Sequence, residues 1–249
     1  MFRTLEPAGD PIDILEMLFS QKRVREDRPW VMFNMVESVD GGTAVDGGAS
    51  ALNDADDRAL FLAMRAVADV VLMGAETIRS EGMGPVRMSE EMSRYRAKAG
   101  LEGVPRMVIL TRSLSLNPEA RVFSDPDERP TILTGNEADQ DRLDALSEVA
   151  DVAQIDNLDG NGIVDHLGAA KVILCEGGPT VNSVLMAAGM GDEINITMSP
   201  MLALGESKRI AHGEPLQPPI NMRLDRVVSG DRSLFLRYIR ASADFLGAR

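Results

Sequence analysis

Cysteine is nearly absent from this chain. Cys175 is the only one in 249 residues, and His166 and His212 are the only histidines. A disulfide within the chain is therefore impossible, and a Cys/His zinc centre is effectively excluded. No Ser-His-Asp set suggests itself, and His166, beside Leu167 on a helix face, reads as structural. Aromatics are scarce as well, at 4%. An interior must then be aliphatic and methionine-rich, which suits a sheet covered by helices. No apolar run approaches the roughly 18 residues of a membrane span. Met1-Phe2-Arg3 leads into acids and prolines rather than a secretory apolar stretch, so the cytoplasm is the expected compartment. Positive charge is in deficit too. A net charge of −13 argues against nucleic acid or an anionic membrane as the main partner, since neither tolerates a broadly negative face. An anionic small molecule remains compatible if arginines gather locally.

The chain is organised around Val172-Ile173-Leu174-Cys175-Glu176-Gly177-Gly178-Pro179-Thr180. Four apolar residues, an acid and two glycines lead into apolar positions at Val181, Val184, Leu185 and Ala188. That pattern reads as a buried strand, a tight turn and a helix. The glycines let backbone approach a bulky anion, Pro179 suits a first helical turn, and the unpaired amides of the new helix face whatever occupies the crevice. Glu176 would repel phosphate, so it suits a hydrogen-bonding ring or hydroxyl beside it. A helix-start turn with a solvated acid is the plainer alternative.

Strands alternate with helices along most of the chain. Strands are expected at residues 30–36, 69–73, 107–110, 131–134 and 152–155, and helices from Asn53 or Asp54, at 139–149 and at 161–167. The first of those helices should turn Ala55, Ala59, Leu62, Ala63, Ala66 and Val67 inward. This alternation implies an α/β fold with a largely parallel sheet, whose ligands collect at the carboxyl ends of the strands. Residues 193–198, 224–228 and 234–239 read as strands without intervening helices, so an antiparallel edge should finish the sheet. Residues 1–28, with a short amphipathic helix at 12–19, form a peripheral N-terminal segment, and 29–249 form one domain. Residues 80–104 read as a surface excursion, either a mobile flap or an ordinary loop. Between Asn136 and Asp165 nine acids face one base, Arg142, which is most simply a solvated face.

Three turns follow expected strands: Ser38-Val39-Asp40-Gly41, Gly74-Ala75-Glu76-Thr77 and Glu176-Gly177-Gly178. If those strands are neighbours, Asp40, Thr77, Glu176 and the amides after Gly178 converge on one crevice. Each signal has a plainer reading: Asp40-Gly41 as a tight turn, Thr77 as a helix N-cap, Arg65 as a cation at a helix C-terminus. Arg65, Arg79, Arg87 and Arg112 are the cations available for an anionic ligand, and a guanidinium suits a phosphate monoester.

Taken in order, Ser38-Val39-Asp40-Gly41, Leu62-Ala63-Met64-Arg65-Ala66, Asp69-Val70-Val71-Leu72-Met73-Gly74-Ala75-Glu76-Thr77, Cys175-Glu176-Gly177-Gly178 and Gly191-Asp192-Glu193 resemble the reductase domain of riboflavin biosynthesis, from about Val31 to Ile239. The resemblance implies a single-domain dihydrofolate-reductase-like fold, NADPH as cofactor, and reduction of the ribosyl side chain of 5-amino-6-(5-phosphoribosylamino)uracil to ribityl. Bifunctional relatives carry a zinc deaminase domain, whose cysteine set this sequence lacks, so a stand-alone reductase is expected. Cofactor contacts implied by the family fall on Thr77, Glu81, Thr111, Arg112, Gly177, Gly178, Pro179, Thr180 and Val181, with Thr111 and Arg112 at the adenosine ribose and its 2′-phosphate. Substrate contacts fall on Ser50, Arg65, Arg87 and Glu176, the arginines on the phosphate. Asp40 and Glu176 are the expected catalytic pair, orienting pyrimidine and sugar. Departures lie in Ser80-Glu81-Gly82-Met83-Gly84-Pro85-Val86-Arg87, where the family usually has an acidic turn with proline, and at Leu52, where it often has an aromatic. A homodimer is implied, with residues 193–198 and the terminal strands as the edge a second copy covers. The rival readings are a reductase of another pterin or pyrimidine, a non-catalytic nucleotide-binding homologue, and a sugar-phosphate binding protein without dinucleotide.

Overall fold

A computed structural model describes residues 10–241; the expectations for residues 1–9 and 242–249 lie outside the described residues. The chain runs α1 (Ile14–Ser20), β1 (Trp30–Ser38), α2 (Ala55–Ala66), β2 (Val70–Gly74), α3 (Ala75–Glu81), α4 (Glu90–Lys98), β3 (Arg106–Leu110) and β4 (Thr131–Gly135). It continues through α5 (Gln140–Ser147), β5 (Asp151–Ile155), α6 (Gly160–His166), β6 (Val172–Cys175), α7 (Pro179–Ala187), β7 (Glu193–Ser199), β8 (Met222–Ser229) and β9 (Leu234–Arg240). The strands form one sheet in the order β5-β4-β3-β2-β6-β1-β7-β9-β8. Pairings from β5 through to β7 are parallel, and β9 lies antiparallel to both β7 and β8. This is the mostly parallel sheet with an antiparallel C-terminal edge that the pattern of apolar runs implied. One detail differs: β7 is interior, flanked by β1 and β9, and the free edge is β8.

Both sheet faces are covered, so the central strands are apolar at every position. On β2, Val71 and Met73 pack with residues of α1, α2 and α5, whereas Val70 and Leu72 pack with residues of α6 and α7. On β6, Val172 and Leu174 face the first layer and Ile173 and Cys175 the second. Burial pushes the Cys175 thiol up to about 12, so it serves as a small apolar filler.

Asp54 starts α2, its carboxylate accepting from the Asp57 amide at 2.8 Å, with acids in the first turn and Arg65 in the last. The buried face of α2 differs from the one expected. Ala55 and Ala59 are exposed, while Asp57 and Arg65 are buried beside Ala63, Met64 and Ala66. Residues 80–104 carry α4, whose Arg96 is buried and donates to the carbonyls of Ala66 (2.9 Å), Ala68 (2.7 Å), Glu102 (3.2 Å) and Gly103 (2.8 Å). One guanidinium thus caps the carboxyl end of α2 and ties the excursion down.

The segment before β1 is held by two acids at the start of β7. Leu15 and Leu18 of α1 are buried in the core. Asp192 accepts from Arg25 at 3.0 Å, Arg28 at 2.7 Å and the Val31 amide at 2.9 Å. Glu193, fully buried, accepts from Arg23 (two bonds, both 3.0 Å), Arg237 (2.9 Å), Asn195 (3.0 Å) and Trp30 (3.3 Å). Burial alone would raise its pKa, but the charges and hydrogen bonds of Arg23 and Arg237 reverse this and hold it near 2 against an ordinary 4.5. A carboxyl with a depressed folded-state pKa stabilises fully above its ordinary value, and that stabilisation is lost as pH falls through the folded value. We expect Glu193→Gln to cost on the order of 3–5 kcal/mol at neutral pH, because it leaves the buried Arg23 without a carboxylate and Arg237 with Asp225 alone. Urea denaturation from pH 7 to pH 2 checks this: the gap between wild type and variant should close between about 4.5 and about 2. A pH-independent gap would assign the loss to packing.

Candidate active site

Strand β6 lies between β2 and β1 and runs parallel to both, so the turns after β2 and β6 open on one rim of the sheet. A cavity of about 1730 Å³ opens there. A single small-molecule site occupies roughly 300–1,000 Å³, so this one has room for two ligands side by side.

One wall is backbone. After Cys175 the chain turns through Gly177, whose φ of +88° favours glycine, and Gly178 caps α7 without any side-chain hydrogen bond. The Gly177 carbonyl accepts from the Gly74 amide at 2.7 Å, which locks the turn to the end of β2. Close approach explains the glycines here. A Cβ on Gly74 would lie 3.0 Å from Val181 Cγ2, and one on Gly178 would lie 3.1 Å from Thr77 Oγ1. Gly178, Pro179, Thr180 and Val181 therefore line the cavity as a helix N-terminus with unfilled amides, facing Thr77 across a narrow gap. Thr77 is not the N-cap of α3; that position is Gly74, and Thr77 is the third helical residue. Thr111 and Arg112, at the carboxyl end of β3, continue the same wall. The Thr111 hydroxyl accepts from the Leu114 amide at 3.1 Å, and Arg112 makes no ion pair among the described residues.

The opposite wall is side chain. Arg65 donates from Nε (2.8 Å) and Nη2 (2.7 Å) to the two oxygens of Glu176, and its guanidinium lies 4.4 Å from the centre of the Phe61 ring. Burial opposes the Arg65 charge, but the Glu176 carboxylate beside it more than compensates and its pKa is raised. Asn34, Asp57 and Phe61 complete this wall. Beyond them the loop after β7 folds over: Asn182 donates to the Ile210 carbonyl at 2.6 Å, and the His212 amide donates to Ser183 at 2.8 Å. Lys208, Ile210 and His212 line the cavity as a result.

The residues singled out from the sequence fall into three groups. Ser50, Arg65, Thr77, Glu81, Arg87, Thr111, Arg112, Glu176 and Gly178 to Val181 all line the cavity. Within that group, Arg65 is engaged by Glu176, and Arg87 is paired with Asp125 and Asp127. Glu81 accepts from the Ala49 amide at 3.1 Å, holding the loop that presents Ser50. Gly177 forms the turn without lining the cavity. Asp40 is placed outside it, which corrects the expected convergence. β6 ends opposite Phe33, whereas β1 runs on to Ser38, five residues or about 16 Å farther along the strand. There the Asp40 carboxylate accepts from Ser38 Oγ (2.6 Å) and the amides of Ala203 (2.9 Å) and Leu204 (2.8 Å), chiefly the Ser38 hydroxyl holding its pKa at about 2. Asp40 anchors the loop after β7. Sequence reasoning missed Asn34, Asp57, Arg58 and Lys208. Asp57 was hidden in plain view, since an acid in a first helical turn is already accounted for by the dipole.

Comparison with known proteins agrees with this fold. The sequence model of the RibD C-terminal domain matches residues 29–236. A 2,5-diamino-6-ribosylamino-4(3H)-pyrimidinone 5′-phosphate reductase of Methanothermobacter thermautotrophicus is 24% identical over 220 residues, covering 85% of this chain and 98% of that protein. Among solved structures, a pyrimidine reductase-like protein of Corynebacterium diphtheriae superposes with a TM-score of 0.78 at 24% identity, covering 86% of this chain and 92% of the other. A deaminase/5-amino-6-(5-phosphoribosylamino)uracil reductase of Thermotoga maritima gives 0.69 at 20% identity over 87% of this chain and 58% of its own. These likenesses show the same fold.

The Arg65–Glu176 pair joins α2 to the β6–α7 turn, and both side chains are buried. Arg65→Met should therefore destabilise the protein by about 3–5 kcal/mol, through an uncompensated carboxylate, whereas Arg65→Met with Glu176→Leu should recover most of that loss. Chemical denaturation of the two variants decides; equal losses in both would show that the pair contributes no such coupling.

Proposed function

The chain belongs to the RibD C-terminal domain family, and from that premise we propose that it is a reductase of riboflavin biosynthesis. It converts the ribosyl side chain of a phosphorylated 5-amino-6-ribosylaminopyrimidine to ribityl, with NADPH as reductant. The observation that carries this reading is the two-walled cavity, which pairs a helix N-terminus fit for a pyrophosphate with a polar wall fit for a heterocycle and its sugar. Two ring forms are candidates: the 2,5-diaminopyrimidinone named for the archaeal relative and the uracil named for the bifunctional one.

The residues present fit a phosphorylated nicotinamide dinucleotide. Amides of Thr180 and Val181, with the Thr77 hydroxyl, would hold its pyrophosphate, and Thr111 and Arg112 would take the adenosine ribose and 2′-phosphate. When bound, NADPH supplies the hydride for C1 of the opened ribosyl group. The chain's own residues hold the substrate for that transfer. Glu176 and Ser50 orient the pyrimidine and sugar, and Arg65 fixes the Glu176 carboxylate in position and angle through two hydrogen bonds. Arg87 lines the cavity but is already paired, so Arg58 and Lys208, which make no ion pair among the described residues, add the positive charge the sugar phosphate needs. Hydride transfer depends mainly on proximity and exclusion of water, and Lys208, Ile210 and His212 of the loop after β7 line the cavity. Cytoplasm is the compartment this chemistry implies, and no helix among the described residues is long and apolar enough to cross a membrane. A homodimer that covers the free β8 edge belongs to the same proposal.

Incubating the purified protein with NADPH and each phosphoribosylaminopyrimidine should oxidise the cofactor, read as loss of absorbance at 340 nm; no oxidation with either ring ends the proposal. Glu176→Gln should lower kcat at least tenfold while NADPH affinity changes little, since the carboxylate lies on the substrate wall. Arg112→Ala should weaken NADPH by about tenfold or more and leave NADH binding unchanged, because a charge-assisted contact contributes roughly 1.5–3 kcal/mol. Fluorescence titration with both dinucleotides checks it, and equal weakening of both would remove Arg112 from the 2′-phosphate.

A further inference from the structure

The two candidate rings differ at one position. The diaminopyrimidinone carries an amino group at C2 where the uracil carries a carbonyl, so one donates a hydrogen bond there and the other only accepts. The polar atoms of the substrate wall must decide between them. Glu176 is committed to Arg65 through both oxygens. Asp57 is not committed to any cation. It lies in the first turn of α2, is 7% exposed, lines the cavity, and makes no ion pair among the described residues.

No side-chain hydrogen bond to the Asp57 carboxylate occurs among the described residues. Asp54, the N-cap of its helix, is one neighbour, and the hydroxyl of Thr197 on β7 is another, its Oγ1 buried and making no hydrogen bond among the described residues. From β1, Asn34 lines the same cavity with its Oδ1 buried and unpartnered. Burial raises the Asp57 pKa, the Thr197 hydroxyl works against that rise, and the negative charge of Asp54 adds to it. A buried carboxylate that lines the cavity without an ion pair costs free energy when its oxygens go unfilled and is satisfied by a ligand edge that donates.

Building on the reductase reading, we propose that Asp57 reads the C2 substituent of the pyrimidine, accepting from a 2-amino group and the adjacent ring N–H through its two carboxylate oxygens. The chain then takes the 2-aminopyrimidine in preference to the uracil, whose C2 carbonyl would face a carboxylate oxygen with no proton between them. A bidentate contact of this kind discriminates by roughly tenfold to a hundredfold, or about 1.4–2.7 kcal/mol. Sites built to hydrogen-bond a substrate group reject analogues lacking it because their own polar atoms are left unpaired.

The test compares wild type with Asp57→Asn, an isosteric change that replaces one acceptor oxygen with a donating amide. With NADPH saturating, kcat/KM for the two phosphoribosyl substrates should favour the 2-amino ring tenfold or more in wild type. In the variant that preference should vanish or reverse. A second measurement needs neither turnover nor cofactor: NMR titration of both proteins with isocytosine and with uracil, the bare rings. Wild type should bind isocytosine more tightly, and the variant should lose that selectivity. Thermal melting of each protein confirms that it is folded, and Asp57→Ser serves if the amide variant is not. An unchanged preference ratio in the variant overturns the proposal, even if turnover falls, since uniform loss would make Asp57 a general aid to catalysis. If wild type reduces neither substrate, the reductase reading fails, and the ring titration alone then decides the role of Asp57.

Discussion

The buried ion pair between Arg65 and Glu176 is the constraint on which the shape of the cavity depends. The two residues are 111 positions apart in sequence, one ending a helix and the other ending a strand. Neither charge would be stable at that depth alone, because an unpaired ion loses several kcal/mol of hydration on burial. Two parallel N–H to oxygen bonds also fix the angle between the groups, which a single contact would not. With its last turn held this way, α2 projects its first turn along the substrate wall. Asp57 lies eight residues before Arg65, about 12 Å along the axis at ~1.5 Å per residue. The ion pair thus sets where the other polar groups of that helix can reach.

Fold and site were legible to different depths. Apolar runs ending in glycine located β2 and β6, since a strand buried on both faces tolerates nothing polar and its exit turn needs a residue without a Cβ. The cavity wall made of backbone was legible for the same reason: Gly178, Pro179 and Thr180 announce a helix N-terminus in the sequence itself. The side-chain wall was not. Whether Arg65 meets a phosphate or a carboxylate depends on what stands 111 residues away, and no local pattern records that. Asp40 shows the converse error. Its Asp-Gly turn was read correctly as a turn, but the length of β1 beyond β6 decides where the turn lies, and strand ends are set by pairing partners rather than by the strand's own residues. Arg96 is a third case, an ordinary exposed-looking helix residue whose four carbonyl partners exist only in the tertiary structure.

The overall charge of −13 and a cavity suited to anions are reconciled by where the charges sit. Asp192, Glu193 and Asp40 are consumed in holding the N-terminal segment and the loop after β7. Asp125 and Asp127 engage Arg87 at the rim. On the cavity walls themselves arginines and lysine outnumber carboxylates, and Arg58, Arg112 and Lys208 are free of ion pairs among the described residues. A negative protein with a locally positive cleft repels polyanions broadly while still admitting a small phosphorylated ligand, since charges more than about 8–10 Å away are screened at physiological ionic strength.

The two walls also divide the work in a way that bears on how such a fold changes substrate. The proposed cofactor side is backbone: amides at the start of α7, and Gly74 and Gly178, where a Cβ would press to 3.0 Å on Val181 Cγ2 or 3.1 Å on Thr77 Oγ1, so a substitution there requires those side chains to give way. The proposed substrate side is side chain, carried on α2, which is also held by its cap at Asp54 and its core face at Ala63, Met64 and Ala66. Hydride transfer asks for proximity and dryness more than for a particular acid or base. A reductase of this build can therefore exchange the first-turn residues of α2 and alter which heterocycle it accepts, while fold, cofactor site and reaction stay as they are.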